Sequence, residues 1–347
     1  MVNVHSFIRD TVVSIRIRLA RNLAGFPFPS KMKSTHAAEV LHLFSEALKE
    51  VDPNEYRRYD IDKLRESEKQ LLMEQHFVSP ALLREPENRA VFICSDQSVS
   101  VMVNEEDHLR EQYISKEFNL KKAYEGLLSL DDRLASVLDF AYDKTLGYLT
   151  ACPSNLGTGI RASVMVFLPG LTYSGALKKL IPKLRREGMT LRGAFGEGSK
   201  AEGDLYQLSN ERTLGLSEME ILEKVSATTM SICDLEVKAR EEMLRTSETE
   251  LRDKCLRSYG ALTNCALLDM AEFMEKIKDV RLGIYLGFFK VENMQRFDEF
   301  LDEMQPAAFC INNNLEGENE RFYDEVRAET VCGALPKLVQ VVRRGNR

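Results

Sequence analysis

The sequence VVSIRIRL, residues 12–19, alternates polar and apolar side chains over most of its length. Alternation with a period of two is typical of a β-strand, because successive side chains of a strand point to opposite faces of the sheet. An extended segment here would place Ser14, Arg16 and Arg18 on the same face. Three polar groups on one side of a strand indicate either a functional surface or a solvated sheet edge.

Further strands and helices are predicted along the first two thirds of the chain. AVFICS and SVSVMVN flank Asp96 and Gln97, which predicts a β-hairpin that delivers the chain into residues 104–110. The other predicted strands are GYLTAC, MTLRGAF and LYQLSN, and the predicted helices lie around 35–51, 60–75, 120–142 and 174–187. Strands that flank glycine-rich turns favour an α+β fold, an antiparallel β-sheet with helices packed on it.

The pattern changes after Ser217 to nearly continuous helix, rich in residues that favour helices. We therefore predict two domains, an α+β domain at residues 1–235 and a smaller, mainly helical domain at residues 236–347. The second domain is expected to be interrupted at Pro306, at Pro336 and in the polar stretch INNNLEGENE.

Composition and charge limit the classes of function. The chain has 347 residues, 44% of them hydrophobic and 29% charged, a balance typical of a globular protein with a substantial core. The formal net charge of -7 offers no broad attraction to nucleic acid or to an anionic membrane. No apolar run is long enough for a membrane helix and no signal-peptide pattern is present, so a cytoplasmic location is expected. The seven cysteines include no CxxC pair, which argues against a zinc site.

Three short strings combine residue types that can carry chemistry. NEEDHLR, residues 104–110, places three acids beside a histidine and an arginine directly after a predicted strand. TACPSNLGTGIRASV contains Cys152 and a turn-rich loop that ends at Arg161, and LRGAFGEG contains Arg192 and Glu197 around a turn. Taken singly, each string has an ordinary explanation: a solvated acidic turn, a buried thiol or a charged surface.

Arginines recur at the ends or on one face of the predicted strands, or beside turns. Forked guanidinium groups can neutralise a triphosphate in bidentate fashion without a glycine-rich loop. The chain contains neither the GxxxxGK[ST] string nor the HRD and DFG strings of eukaryotic-type protein kinases, so any nucleotide must be held in another way. The arginines that form this pattern are Arg16, Arg18, Arg110, Arg161 and Arg192.

SIRIRLARN, NEEDHLR, CPSNLGTGIRASV and RGAFGEG occur in this order and together resemble the ATP:guanidino phosphotransferase family. The strings QLSN, TLG, RSYG and DVRLGI extend the resemblance to about Lys290 and are similar to the bacterial members that phosphorylate arginine residues of proteins. The phosphagen kinases of the family carry a helical N-terminal domain that closes over a free amino acid, whereas here SIRIR begins at Ser14. The resemblance therefore implies an ATP-dependent kinase of arginine side chains in proteins.

The same resemblance implies roles for individual residues. Glu106 and Glu197 would grip the guanidinium group and accept its proton. Glu105 would reach Mg²⁺ through water, with no direct protein ligand to the metal, and the thiolate of Cys152 would tune the charge of the guanidinium group. The residues expected to contact ATP are Ser14, Ile15, Arg16, Ile17, Arg18, His76, Arg110, Arg161, Ala162, Ser163, Val164, Met165, Arg192, Gly193, Ala194, Phe195, Gly196 and Glu197.

The sequence departs from the family pattern at three places. Ile15 stands where the family has Ser or Thr, which would loosen a contact to phosphate, and Glu111 stands where an apolar residue is usual, which would add a negative charge near the site. The string YDEVRA resembles a phosphoarginine-binding RDxxRA string and keeps Asp324 and Arg327, but Tyr323 replaces its first arginine. Control by phosphoarginine at this second site is therefore in doubt.

The resemblance also implies partners and leaves two alternatives open. The partners are protein substrates that bear arginine, an activator protein, a Clp ATPase or protease that degrades the marked proteins, and a second copy of the chain in a homodimer, with no nucleic acid and no membrane. One alternative is a phosphagen-type kinase of free arginine. The other is a degenerate family member that binds phosphoarginine or a partner protein without turnover.

Overall fold

The structure is a computed structural model in which residues 10–53, 55–193 and 202–343 are described. Four of the predicted nucleotide contacts lie outside these ranges, and they are Ala194, Phe195, Gly196 and Glu197. The chain divides into two units. The first comprises the chain up to Val166 together with Lys178–Arg192 and Gln207–Ile232, and the second comprises Phe167–Leu177, residues 193 and 202–206, and the chain from Cys233 onward.

The strands and helices follow one another in mixed order. The strands are β1 (Val12–Arg21), β2 (Tyr56–Asp60), β3 (Ala90–Cys94), β4 (Val99–Val103), β5 (Leu109–Ser115), β6 (Tyr142–Asp143), β7 (Gly147–Tyr148), β8 (Ile160–Phe167), β9 (Met189–Gly193), β10 (Leu205–Asn210), β11 (Phe289–Val291) and β12 (Val339–Val341). The helices are α1 (Ser34–Val51), α2 (Glu66–Glu74), α3 (Pro80–Arg84), α4 (Leu120–Ala135), α5 (Pro169–Tyr173), α6 (Leu177–Arg186), α7 (Glu218–Thr263), α8 (Met270–Tyr285), α9 (Met294–Glu303), α10 (Pro306–Asn312) and α11 (Glu320–Leu338).

Eight strands form one sheet in the order β2-β3-β4-β5-β1-β8-β10-β9. The strand β1 lies inside this sheet, antiparallel to β5 on one side and to β8 on the other. Its side chains Ile15, Ile17 and Leu19 are at most 1% exposed and form part of the core, while the alternate residues point to the other face. The predicted α+β class and the shared face of Ser14, Arg16 and Arg18 are confirmed.

The predicted hairpin of β3 and β4 is confirmed, but several predicted element bounds are wrong. GYLTAC forms only the two-residue strand β7, and the predicted helix at 120–142 ends at Ala135. The residues after Ala135 instead pair with those that follow β1. The backbone N–H of Ala24 donates to the carbonyl of Asp139, and that of Ala141 donates to the carbonyl of Asn22. The helix predicted around 60–75 begins only at Glu66, because the chain up to Asp60 is strand β2, and α6 begins only after Gly175, whose φ is +69°.

The second unit has its own core of buried side chains. Phe273, Phe297 and Phe309 are fully buried in it, together with Val331 of α11. Pro336, predicted to interrupt the helical region, lies in the last turn of α11, which ends two residues later at Leu338. No helix in the described ranges is both long and apolar enough to cross a membrane.

The predicted domain boundary at residue 235 stays a prediction. The helix α7 contributes its first part, up to Ile232, to the first unit and the rest to the second unit. The segment Phe167–Leu177 precedes that helix in sequence by about forty residues, yet it belongs to the second unit. A single boundary along the chain therefore does not describe the division into units.

A buried ionic cluster lies on the core face of the sheet. Arg21 at the end of β1 donates to both oxygens of Asp131 on α4, over 2.9 and 2.7 Å, and its guanidinium carbon lies 3.6 Å from the ring centre of Tyr148. Glu111 on β5 is fully buried beside them. Burial and the adjacent carboxylate of Asp131 raise the pKa of Glu111 well above its ordinary value, which favours the neutral form of Glu111 in the folded protein.

We predict that Glu111→Gln stabilises the protein at alkaline pH. The folded state keeps a proton on Glu111 that the unfolded chain releases above about pH 4.3, so this contribution to stability is present at low pH and is lost as pH rises. A glutamine side chain is neutral at every pH, so the variant avoids the cost of a buried charge at position 111. The free energy of unfolding, measured by urea denaturation, should rise by about 1–3 kcal/mol at pH 8 and change little at pH 4.5. An equal change in the free energy of unfolding at both pH values would contradict this prediction. The control is Glu87→Gln, at an exposed position, which should leave the pH dependence of stability unchanged.

Candidate active site

Four cationic side chains lie on one face of the three central strands. Arg18 on β1 is directly opposite Arg161 on β8, and Ala20 on β1 is directly opposite Arg110 on β5. Directly opposite residues of antiparallel strands, and alternate residues of one strand, point to the same side of a sheet. Arg16, two residues before Arg18, therefore joins them. We call this side of the sheet the arginine face.

The arginine face continues onto β10 and β9. Arg161 donates from Nη2 to Ser209 Oγ on β10 over 3.2 Å, and Ser209 Oγ lies 2.9 Å from Thr190 Oγ1 on β9. Arg192 follows Thr190 by two residues along β9 and therefore has the same orientation. The five arginines that the sequence pattern singled out are thus brought together on one side of the sheet.

These arginines create a positive potential. Burial and the charges of Arg110 and Arg161 lower the pKa of Arg16 to about 10, and burial and neighbouring arginines lower the pKa of Arg18 well below its ordinary value. Burial and the charges of Arg192 and Arg110 lower the pKa of Arg161. The buried Nε atoms of Arg18 and Arg161 have no hydrogen-bond partner among the described residues. Since guanidinium groups stay protonated in proteins, such an arrangement favours the binding of a polyanion.

The acidic string after β4 forms a tight turn beside the arginine face. Asn104 adopts a φ of +63°, and its backbone N–H donates to the carbonyl of His108 over 2.8 Å. The buried carboxylate of Glu105 accepts hydrogen bonds from Ser79 Oγ at 2.6 Å and from Arg110 Nη1 at 2.9 Å. Although burial favours the neutral acid, the charge of Arg110 and these hydrogen bonds hold the pKa of Glu105 below its ordinary value.

Glu106 is exposed at the tip of this turn. Partial desolvation and the neighbouring carboxylates of Asp107 and Glu105 raise its pKa. The charges of Arg110 and Arg161 oppose this rise, which places Glu106 within electrostatic reach of the arginine face. An accessible carboxylate with a raised pKa is suited to accept a proton from a bound molecule.

Asp107 holds the chain that leads to Cys152, a role that the sequence did not reveal. Its Oδ1 atom accepts from Asn22 Nδ2 over 2.6 Å and from the backbone N–H of Ala151 over 2.7 Å. Asn22 also donates to the carbonyl of Leu149 over 3.0 Å. We call these three hydrogen bonds the Asp107 clasp. The clasp holds the backbone at Leu149 and Ala151, directly before Cys152.

A second set of contacts holds the loop after Cys152. The half-buried thiol lies 3.0 Å from Ser154 Oγ, and Thr213 Oγ1 lies 2.9 Å from the carbonyl oxygen of Ser154 and 2.7 Å from that of Leu156. A negative charge at Cys152 would raise the pKa of Arg161, so the thiol lies within electrostatic reach of that arginine. The thiol, the arginine face and Glu106 are therefore within electrostatic reach of one another.

The two histidines of the region differ in role. His76 follows α2, is exposed and has a φ of +64°, and its carbonyl accepts from Gln112 Nε2 over 2.7 Å. Gln112 is directly opposite Arg18, so this hydrogen bond ties His76 to the arginine face. Both ring nitrogens of the buried His108 bind backbone groups, which is a structural role.

The remaining predicted nucleotide contacts divide between the two faces of the sheet. Those on the arginine face are Ser14, Ser163 and Met165. Those with side chains in the core are Ile15, Ile17, Ala162 and Val164. Members of the second group can meet a ligand on the arginine face only through their backbone. The isoleucine at position 15 therefore does not displace a side-chain contact to phosphate from that face, and the buried Glu111 adds no charge to it.

The suggested phosphoarginine site in the second unit is an ion pair in this structure. Arg327 is 4% exposed and donates from Nη1 to Asp324 and to the carbonyl of Leu268, both over 2.9 Å. Its Nε atom has no hydrogen-bond partner among the described residues. The hydroxyl of Tyr323 lies 2.9 Å from Cys310 Sγ. A phosphoarginine-binding role for Asp324 and Arg327 stays a prediction.

Two family models match the sequence. The model described as ATP:guanido phosphotransferase, C-terminal catalytic domain, matches residues 39–239, and the model described as protein-arginine kinase McsB C-terminal domain matches residues 248–342. The chain is 39% identical to the protein-arginine kinase of Caldanaerobacter subterraneus subsp. tengcongensis over 86% of this chain and 89% of the relative. It is 38% identical to that of Symbiobacterium thermophilum over 94% of this chain and 93% of the relative.

Solved structures of guanidino kinases are also similar. A lombricine kinase superposes with a TM-score of 0.59 and 27% identity, covering 66% of this chain and 66% of that one. The duplicated taurocyamine kinase from Schistosoma mansoni, solved with bound transition-state-analogue components, superposes with a TM-score of 0.63 and 27% identity. The match covers 76% of this chain and 40% of that one.

We predict that Thr213→Val loosens the loop that carries Cys152. The substitution keeps the shape of the side chain but removes the hydroxyl that lies against the carbonyl groups of Ser154 and Leu156. The rate of alkylation of Cys152 by iodoacetamide, followed by mass spectrometry of the labelled peptide, should change at least threefold, and stability should fall by about 1 kcal/mol. Thr213→Ser keeps the hydroxyl and should behave like the parent protein. Identical labelling rates for the valine variant and the parent would contradict this account.

Proposed function

Because this chain belongs to the ATP:guanido phosphotransferase family, we propose that it is a protein arginine kinase, which transfers the γ-phosphate of ATP to arginine residues of proteins. The second family model supports this choice of substrate, since its description names a protein-arginine kinase. The observation that carries the proposal is the meeting of Glu106 and Cys152 with a face of arginines on one side of the sheet.

The arginine face would hold the phosphates of ATP. Its cations lie on adjacent strands of a hydrogen-bonded sheet, so little reorganisation is needed when the nucleotide binds. The triphosphate would supply the negative charge that balances these guanidinium groups. His76, at the end of α2, would lie near the base.

Mg²⁺ would arrive with the nucleotide. Among the described residues, no group of three or more Asp, Glu, His or Cys side chains is placed to hold a metal ion. Both oxygens of Glu105 already accept hydrogen bonds, from Ser79, from Arg110 and from the backbone of Glu106, which suits contact with a hydrated ion through water. The ion, when bound, would neutralise charge on the phosphates.

The chemical difficulty lies in the guanidinium group. Its pKa exceeds about 12, and a protonated nitrogen has no free electron pair with which to attack phosphorus. In the proposed step, a P–N bond forms to the guanidino nitrogen, the bond between the γ-phosphorus and the bridging oxygen breaks, and ADP leaves. Glu106 accepts the proton. Glu197, outside the described residues, is assigned as its partner by the sequence resemblance alone.

Alignment and proton transfer would contribute separately to the rate. Holding the guanidinium group in line with the γ-phosphate can lower the barrier by roughly 7–11 kcal/mol, and a positioned base typically adds about 10² to 10⁴ in rate. Cys152 would sit beside the guanidinium group, where a thiolate offsets positive charge without forming a covalent bond. The Asp107 clasp would keep the thiol in place.

Several finer properties are proposals that rest on the resemblance. The phosphorylated proteins would be substrates of a Clp ATPase or protease, and an activator protein would stimulate the kinase. The helical second unit would form a homodimer. A cytoplasmic location would supply the ATP that the reaction consumes.

We predict that the protein places acid-labile phosphate on arginine residues of an arginine-rich protein in the presence of Mg²⁺ and ATP. Mass spectrometry under non-acidic conditions detects the product. Glu106→Gln and Glu197→Gln should each lower turnover at least a hundredfold, because the base or its partner is lost. Since Glu106 must be deprotonated and its pKa is raised, kcat/KM should fall as pH drops through that pKa. Phosphate on free arginine alone would overturn the proposed substrate.

We predict that Cys152→Ala lowers turnover without unfolding the protein. The side chain is half-buried in a loop that is held by backbone contacts of its neighbours, so the thermal midpoint should change by less than about 2 °C. The phosphorylation rate should fall at least tenfold. Cys265→Ala, which removes a half-buried thiol in the second unit, is the matched control for loss of a cysteine. An unchanged rate in Cys152→Ala would remove the thiol from the mechanism.

A further inference from the structure

A second cationic surface lies in the first unit, and its lining includes none of the five arginines of the arginine face. It is a cavity of about 340 Å³ whose lining includes the exposed side chains of Arg186, Arg212 and Lys224. Arg186 ends α6, Arg212 follows β10 and Lys224 lies in the first turns of α7. We call this cavity the basic pocket. The chain brings its three cations together from segments that are separated in sequence.

The cations of the basic pocket are not paired with carboxylates of the described residues. Within the described ranges, none of the three forms an ion pair, and Glu187, which also lines the pocket, forms none either. Elsewhere exposed cations do pair along their helices, as Lys49 does with Glu46. The helix α6 adds further lysines and arginines and contains no acidic residue. The pocket is therefore a local positive site on a chain whose net charge is -7.

The same pocket is partly apolar. Leu214 is 53% exposed and Leu216 is 37% exposed, and both line it. Exposed apolar side chains beside unpaired cations fit an occupant that is acidic and apolar at neighbouring positions. A concave site of this size suits side chains of a polypeptide better than the long phosphate track that a nucleic acid presents or the flat surface of a membrane.

The basic pocket is linked to the loop of Cys152. Thr213, between two residues that line the pocket, contacts the carbonyl groups of Ser154 and Leu156. An extended polypeptide advances about 3.3 Å per residue, so residues three to five positions from a bound arginine lie about 10–17 Å away. A substrate chain with its arginine beside Cys152 can thus run over this contact toward the pocket.

We propose that the basic pocket binds an acidic residue with an apolar neighbour in the protein substrate, a few positions from the arginine that receives phosphate. This rests on the proposed function and adds a preference for acidic sequence around the target. The preference is electrostatic, so it weakens as ionic strength rises. The local positive charge of the pocket would oppose the repulsion between such an acidic segment and a chain whose net charge is -7.

The test compares two peptides that carry one arginine. In the first, Asp-Leu pairs lie three to five positions on either side of the arginine, and in the second each Asp is replaced by Asn. The parent protein should show a KM about threefold to tenfold lower for the acidic peptide, as expected of exposed ion pairs. The double variant Arg186→Glu with Lys224→Glu should lose this preference and keep its KM for ATP. Lys290→Glu, an exposed lysine of the second unit, is the matched control and should keep the preference.

Fluorescence anisotropy of the labelled peptides separates this inference from the proposed function. Phosphate on neither peptide would overturn the proposed function, while the anisotropy measurement would still decide the docking inference. Equal affinity of the parent protein for the two peptides would overturn docking, even if both are phosphorylated. Loss of binding to phosphatidylglycerol vesicles in the double variant, with its peptide preference intact, would also overturn docking and assign the pocket to a membrane surface.

Discussion

The pleat of β1 is the constraint on which the rest of the structure depends. One row of its side chains, which includes Ile17 and Leu19, is buried in the core, and the alternate row carries Arg16 and Arg18. Apolar burial contributes about 25 cal/mol per Å², and a register shift of one residue would exchange the two rows. The packing that stabilises the sheet therefore also fixes where the positive charges stand.

Like charges on one face repel, and the fold offsets only part of this repulsion. Glu105 pairs with Arg110 at the edge of the group, while Arg18 and Arg161 keep buried Nε atoms without hydrogen-bond partners in the described ranges. Such an arrangement costs stability in the absence of a ligand and favours a polyanion when one is present. On the opposite, core face of the sheet the positive charge is balanced, since Arg21 forms an ion pair with Asp131 there.

The features that were predictable from sequence are those that a local pattern carries. Alternation in β1, the turn between β3 and β4, and the helical composition of α7 each depend on neighbouring residues, and the structure has all three. The Asp107 clasp was not predictable, because it joins partners 85 and 44 positions away in sequence. The burial of Glu111 escaped prediction for the same reason, since its companion Asp131 lies on another element. The basic pocket likewise joins separate segments.

The acidic string shows how position decides chemistry among similar residues. Glu105, Glu106 and Asp107 are consecutive carboxylic acids, but the turn that Asn104 starts points them in different directions. The pKa of Glu105 is lowered because it faces Arg110, whereas that of Glu106 is raised by desolvation and by its acidic neighbours. Asp107 accepts a hydrogen bond from the backbone of Ala151 and so holds the chain directly before Cys152. Since residue type is nearly constant along the string, the environment alone makes Glu106 the best placed of the three to accept a proton.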